Sequence, residues 1–280
     1  LPGSGGTVGD PALKNPNLAG VHFTGSTETF QYIWKTIGSQ IERYKTYPRI
    51  VGETGGKDFC LAHESADIDE LTTAMIRGAF EYQGQKCSAM SRAYLPSSIW
   101  NELKSKYLSE LKSVKVGPPD DFSNFMNAVI DKKAFESITH YIQFAEKSND
   151  AEIISGGTYD DTTGYFISPT TILTTNPSFK TLEEEIFGPV LTIYIYDPSD
   201  WYDVLKLIDT TSPYALTGCV MGKDKEAIKE ATDHLTHAAD NFYINDKPTG
   251  AVVGQQPFGG SRSSGTNDKA GSELNLQRWI

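Results

Sequence analysis

Short apolar runs and amphipathic stripes take turns along this chain, and that alternation limits its fold more than any other feature. Val21-His22-Phe23 reads as a strand and is followed by Thr24-Gly25-Ser26. Phe30, Ile33, Trp34, Ile37 and Ile41 then recur at helical spacing, with Ser26 as the N-cap. A strand from Ile50 runs into a glycine turn, and Asp67 and Glu70 bracket the start of a helix that reaches about Phe80. SRAYLP reads as a strand, residues 98–113 and 132–147 as helices, and Val190 to Tyr196 as a buried strand. Helices over 201–210 and 225–238 flank the strand LTGCVMG. Strands and helices in strict turn predict an α/β fold, a parallel sheet with helices on both faces. Neither an internal repeat nor a low-complexity linker interrupts the 280 residues.

The formal net charge of -11 argues against nucleic acid or an anionic membrane as a partner. No apolar run approaches the ~20 residues of a membrane-spanning helix. The three cysteines, Cys60, Cys87 and Cys219, are neither a disulfide framework nor a CxxC metal site, so a reducing compartment and no metal are expected. The chain opens on Leu1-Pro2-Gly3 without a methionine or signal peptide and stops at Trp279-Ile280. It is expected to be a piece of a longer protein.

Chemistry concentrates in a few loops. LPGSGGTVGD is glycine-rich, yet it lacks the lysine of a phosphate loop and reads first as a turn. The join of strand, Thr-Gly-Ser and helix N-terminus is a better place for an anion, because backbone N–H groups are free there. Glu53 stands at a strand's carboxyl end, where open α/β sheets collect ligands. Glu185 closes an acidic run that by itself reads as a solvated face. Cys60 lies in the apolar run FCLA and Cys219 inside a strand, so both read as small core residues. Cys87 sits in Gly84-Gln85-Lys86-Cys87-Ser88 near a helix end, where a cation would favour the thiolate. A packing cysteine and a nucleophile are both open from texture alone. None of the five histidines stands in a glycine-rich turn, which disfavours a Cys-His hydrolase, whereas Glu53 does stand in one. A thiolate paired with a carboxylate base suits a covalent path that activates water late.

The motifs F-T-G-S (Phe23 to Ser26), E-T-G-G-K (Glu53 to Lys57), G-Q-K-C-S (Gly84 to Ser88), E-I-F-G-P-V (Glu185 to Val190) and P-F-G-G (Pro257 to Gly260) occur in this order. Together they resemble the NAD(P)-dependent aldehyde dehydrogenase superfamily. GQKCSA, TGAVVGQQPFGG and SGTNDKAG are most similar to the branch that oxidises glutamate γ-semialdehyde in proline breakdown. The resemblance implies NAD as cofactor, Cys87 as nucleophile and Glu53 as the base that activates water. It implies Gly25 and Ser26 along the cofactor, Glu185 on the nicotinamide ribose and Phe187 beside the ring. For the substrate it implies Lys86 and Ser88 around the thiol, Gly250 and Ala251 as an anchor loop for the α-carboxylate, and Phe258 as a pocket wall. Some relatives carry serine where Ala251 stands, so one hydroxyl contact is missing here.

The same resemblance implies a division into residues 1–55, the tail of a Rossmann-like cofactor domain, 56–265, the catalytic domain, and 266–280, a return segment. The family's adenosine-ribose contacts and an oxyanion-hole asparagine have no counterpart here. The isolated chain is therefore expected to be inactive and to bind NAD weakly. A homo-oligomeric parent is expected, in the mitochondrial matrix, or in the cytoplasm of a bacterium. Two other readings remain: a dehydrogenase for a semialdehyde without an amino group, and a truncated domain that only associates with partners.

Overall fold

A computed structural model describes residues 2–252 and 254–280. The chain divides into two compact units, Leu1–Gly55 with Ala251–Ile280, and Gly56–Gly250.

In the first unit, strand β1 (Gly20–Thr24) pairs in parallel with β2 (Arg49–Glu53). Helix α1 (Thr27–Gly38) joins them. Ser26 caps this helix, its hydroxyl accepting from the Thr29 N–H at 3.2 Å. Phe30, Ile33 and Ile37 pack on Leu13 and Ile50. The helix stops at Gly38, so Ile41 falls beyond the apolar stripe, and Trp34 is half exposed. The opening glycine-rich segment is a single wide turn of π-helix, Gly5–Gly9, followed by the short helix Asp10–Leu13.

The second unit is built on a sheet of seven strands: β3 (Asp58–Ala62), β4 (Met90–Pro96), β5 (Ala151–Ser155), β6 (Thr170–Thr174), β7 (Val190–Tyr196), β8 (Thr217–Met221) and β9 (Asn241–Ile244). Their order across the sheet is β9-β8-β3-β4-β7-β6-β5. Alternation along each strand feeds two cores. Cys60 and Ala62 of β3 join Ala93, Leu191 and Cys219 beneath α2 (Ile68–Phe80) and α3 (Ser97–Leu111). Phe59 and Leu61 join Tyr94 and Val220 beneath α5 (Trp201–Thr210) and α6 (Lys225–Leu235). Helix α4 (Lys132–Glu146) covers Ile172 and Val190 through Phe135, Ile138 and Ile142.

The sheet is parallel as expected except at one edge, where β5 runs antiparallel to β6. Only a small two-stranded hairpin, Tyr159–Asp160 with Phe166–Ile167, separates them. Parallel neighbours need a crossover, usually a helix, and the sequence supplies none there. Helix boundaries agree with the sequence reading to within a residue or two, apart from α1, which stops at Gly38 short of Ile41, and α6, which ends at Leu235 rather than Ala238. Among the described residues no helix is long and apolar enough to cross a membrane.

Asp58 is fully buried at the start of β3 and accepts from the Thr217 N–H at 2.8 Å. Burial pushes its carboxyl up to about 8. The folded chain therefore keeps a proton that an unfolded carboxyl releases near pH ~4. This contribution to stability is whole below that value and is lost as pH rises towards about 8. Asp58→Asn preserves the acceptor and has no proton to lose. Its melting temperature relative to the unsubstituted protein should climb between about pH 5 and about pH 9. A difference that stays flat across that range would mean that Asp58 is ionised in the fold.

Candidate active site

The thiol stands on a turn. Helix α2 runs out into Tyr82, Gln83 and Gly84, which take left-handed conformations with φ of 55°, 59° and 64°. Such a run is costly for residues with side chains, and it is held from outside. Gln83 Oε1 accepts from the Asn127 N–H at 3.0 Å, and its Nε2 donates to the Ala128 carbonyl at 3.3 Å. Gln85 Oε1 accepts from the Ile130 N–H at 2.9 Å. A Cβ on Gly84 would fall 2.3 Å from the Gly188 carbonyl oxygen, so only glycine fits. The next turn closes with the Ala89 N–H donating to the Lys86 carbonyl at 3.1 Å, and Cys87 and Ser88 are its central residues. Cys87 is partly exposed, while Cys60 and Cys219 are fully buried.

The residues around Cys87 divide by what they touch. Lys86 Nζ lies 3.0 Å from Glu81 Oε2, and Glu81 also pairs with Arg77. Its charge is thus answered on α2's side of the turn. Ser88 is 9% exposed, and its hydroxyl donates to Thr249 Oγ1 at 3.0 Å, beside Gly250. That contact joins the thiol turn to the anchor segment. A Cβ on Gly250 would fall 3.2 Å from the Tyr243 ring, so the backbone approaches closely there.

Gly56 ties the thiol turn to a carboxylate. Its N–H donates to Glu185 Oε1 at 2.8 Å. A Cβ at the same position would fall 2.2 Å from the Cys87 carbonyl oxygen and 2.6 Å from Asp58 Oδ2. Burial pushes the Glu185 carboxyl up, and the Gly56 N–H and the nearby Lys57 act against that rise. Phe187 follows with φ of 56° and is 46% exposed, a ring turned outward from a strained loop. Gly56→Ala should lower kcat about 10²-fold, because the methyl displaces the Cys87 carbonyl and misplaces the thiol. Steady-state rates and a melting curve together check this. Activity within about twofold of the unsubstituted protein, with an unchanged melt, would mean that the turn absorbs the methyl.

The first unit holds the other candidates. Glu53 ends β2, is 6% exposed and lies opposite Thr24 in the register. Its carbonyl accepts from the Gly25 N–H at 3.2 Å, which brings Glu53, Gly25 and Ser26 together. The loop 259–271 closes over this strand. The Gly52 N–H donates to Thr266 Oγ1 at 3.0 Å, and the Thr54 hydroxyl donates to the Ser263 carbonyl at 2.7 Å. A Cβ on Gly259 would meet both Asn267 Oδ1 and Glu53 Oε1. Phe258 is partly buried, its N–H donating to the Ala270 carbonyl at 3.0 Å. Ala251 begins the returning segment of this unit and is partly exposed. Cys87, Lys86, Ser88, Gly250, Glu185 and Phe187 belong to the second unit, and Glu53, Gly25, Ser26, Ala251 and Phe258 to the first.

Gln83, Gln85, Gly56, Thr249 and Thr266 were not singled out from the sequence. The two glutamines flanking Gly84 carried the one visible signal, polar side chains spaced to hold a glycine turn. In the first unit a hydroxyl caps the helix N-terminus at Ser26, an arrangement that suits an anion, and in the second a backbone N–H fixes the Glu185 carboxylate.

The sequence profile of the aldehyde dehydrogenase family matches residues 1–279. The chain belongs to the aldehyde dehydrogenase family. It is 57% identical over 282 residues to the mitochondrial delta-1-pyrroline-5-carboxylate dehydrogenase of Dictyostelium discoideum, with all of this chain and 50% of that protein covered. The mitochondrial enzyme of the same name from Homo sapiens is 46% identical over 280 residues, again with 50% of it covered. Among solved structures, the delta-pyrroline-5-carboxylate dehydrogenase of Mycobacterium tuberculosis bound with NAD superposes with a TM-score of 0.92 at 51% identity, over 99% of this chain and 50% of that one. The chain thus spans about half the length of the relatives it matches.

Proposed function

We propose that this chain forms the catalytic part of an NAD-dependent dehydrogenase that oxidises L-glutamate γ-semialdehyde, the open form of pyrroline-5-carboxylate, to glutamate. The carrying observation is Gly56, whose backbone seats the turn of Cys87 and whose N–H holds Glu185. The relatives' names and the NAD-bound neighbour support the substrate and the cofactor.

The Cys87 thiolate adds to the aldehyde carbon, and the negative charge passes to the carbonyl oxygen, held by the Cys87 backbone N–H. When bound, NAD supplies the acceptor for the hydride that this carbon then loses. The carbon becomes a thioester on Cys87. Glu53 takes one proton from water as the water oxygen adds to the thioester carbon, the C–S bond breaks to restore the thiolate, and the carboxylic acid so formed gives its remaining proton to solvent and leaves as the carboxylate. Gly25 and Ser26 would line the cofactor at the capped helix end, Glu185 would accept from the ribose hydroxyls, and Phe187 would pack beside the ring. Ser88, Gly250 and Ala251 receive the substrate's α-carboxylate through N–H groups and a hydroxyl, with Lys86 and Phe258 at the pocket's walls. The Ser88–Thr249 contact supports this grip. Residues 1–55 form the closing part of the cofactor domain. The whole protein is a homo-oligomer of the mitochondrial matrix, or of the cytoplasm in a bacterium.

The test is NADH formation by the full gene product with pyrroline-5-carboxylate, beside a panel of semialdehydes without an amino group. A clear preference in kcat/KM for pyrroline-5-carboxylate is expected. Equal or better turnover of the amino-free substrates would replace this substrate and leave the reaction type standing.

A further inference from the structure

We infer that Lys57 acts through Glu185, as the buried cation that keeps this carboxylate charged to receive ribose hydroxyls. The inference rests on the cofactor reading above. Lys57 is only 2% exposed. Its Nζ is buried, with no hydrogen-bond partner among the described residues. An ammonium in such a place is expensive unless a charge answers it.

The charged and titratable groups that face it are Arg92 from β4, Asp58 from β3, and Glu184 and Glu185 from the loop after residue 183. Arg92 opposes the charge, and it is already committed to the Lys57 carbonyl at 2.7 Å, the Ile208 carbonyl at 3.1 Å and the Tyr94 hydroxyl at 3.2 Å. Asp58 keeps its own proton to about pH 8 and so carries little charge near neutrality. Glu184 receives the Tyr141 hydroxyl at 2.7 Å and pairs with Lys180 at 3.7 Å. Glu185 remains as the carboxylate that Lys57 can answer. Consecutive residues then act on one group, the Gly56 N–H by a hydrogen bond at 2.8 Å and Lys57 by its charge.

The pairing depends on pH in a defined direction. Burial, with Arg92 adding to it, brings the lysine down to about 7. Lys57 is charged below that value and neutral above it. Glu185, whose carboxyl is raised by burial, needs the cation most on the acid side, where it would otherwise take up a proton. Above about 7 the lysine is itself neutral, so replacing it there removes no charge.

The experiment is calorimetric titration of the full gene product with NAD at about pH 6 and at about pH 8.5. Lys57→Met keeps the apolar stem and removes the charge. Lys57→Gln is a second neutral variant that can still hydrogen-bond. Both should bind NAD about tenfold more weakly at the lower pH and about equally well at the higher. In a Glu185→Gln background, Lys57→Met should cost less than about twofold at either pH. The alkylation rate of Cys87 and the melting curve report any general damage, which would not follow this pH pattern. Unchanged affinity in both lysine variants, a loss equal at both pH values, or a full tenfold loss in the Glu185→Gln background would each overturn the inference. Failure of the unsubstituted protein to bind NAD would instead overturn the cofactor reading on which it rests.

Discussion

Cys87→Ala in the full gene product removes aldehyde oxidation, lowering kcat by about 10⁴-fold or more, while Cys60→Ala and Cys219→Ala keep most of it. The three thiols differ in surroundings rather than in chemistry. Cys60 and Cys219 lie opposite each other on β3 and β8, both fully buried. Burial pushes the Cys219 thiol well up, away from the reactive thiolate. Cys87 is partly exposed on a turn that three left-handed residues and two glutamine side chains hold in place. That much backbone constraint around a packing residue would serve nothing. A Cys87→Ala enzyme with kcat near that of the unsubstituted protein would remove the nucleophile from the mechanism.

Glu53→Gln produces a burst of NADH followed by a slow steady state, the slow phase reduced about 10²–10⁴-fold. The amide matches the carboxylate in size at this buried strand end, so β2 and its pairing with β1 should survive. What it cannot do is take a proton from water. Hydride transfer precedes that step and should proceed, so a thioester on Cys87 accumulates and can be trapped by acid quench and mass measurement. A lost burst, with no acyl-enzyme found, would place Glu53 before hydride transfer.

Much of this was readable from the residues, for physical reasons. Ser26 and Asp67 announce helix starts because their side chains accept from N–H groups two or three residues on, as they do here. The apolar run of β7 could only be a strand covered on both faces. The glycine-bounded thiol stood out because its neighbours are polar and conformationally permissive. β3 was harder: Phe59 and Leu61 feed one core while Cys60 and Ala62 feed the other, so no period shows. The antiparallel β5 was hidden because its direction depends on the absence of a crossover helix. Gly56 escaped notice because what it does lies in a missing side chain and an N–H, and composition records neither. Lys57 escaped because, in a sequence, a buried lysine looks like any other.

The clasp of Thr266 on Gly52 spans 214 residues of chain. Most of what lies between them, Gly56–Gly250, is one continuous unit with its own cores. During synthesis the early β1–β2 pair leaves the ribosome long before the segment that closes over it. It must wait, its last strand uncovered, while the larger unit gathers its own sheet. Closing so distant a contact is entropically slow, and it comes after the local contacts are made. The strand that ends in Glu53 is therefore among the last pieces to be locked, so a chain stalled or cut before residue 266 would carry β1 and β2 without the segment that clasps them.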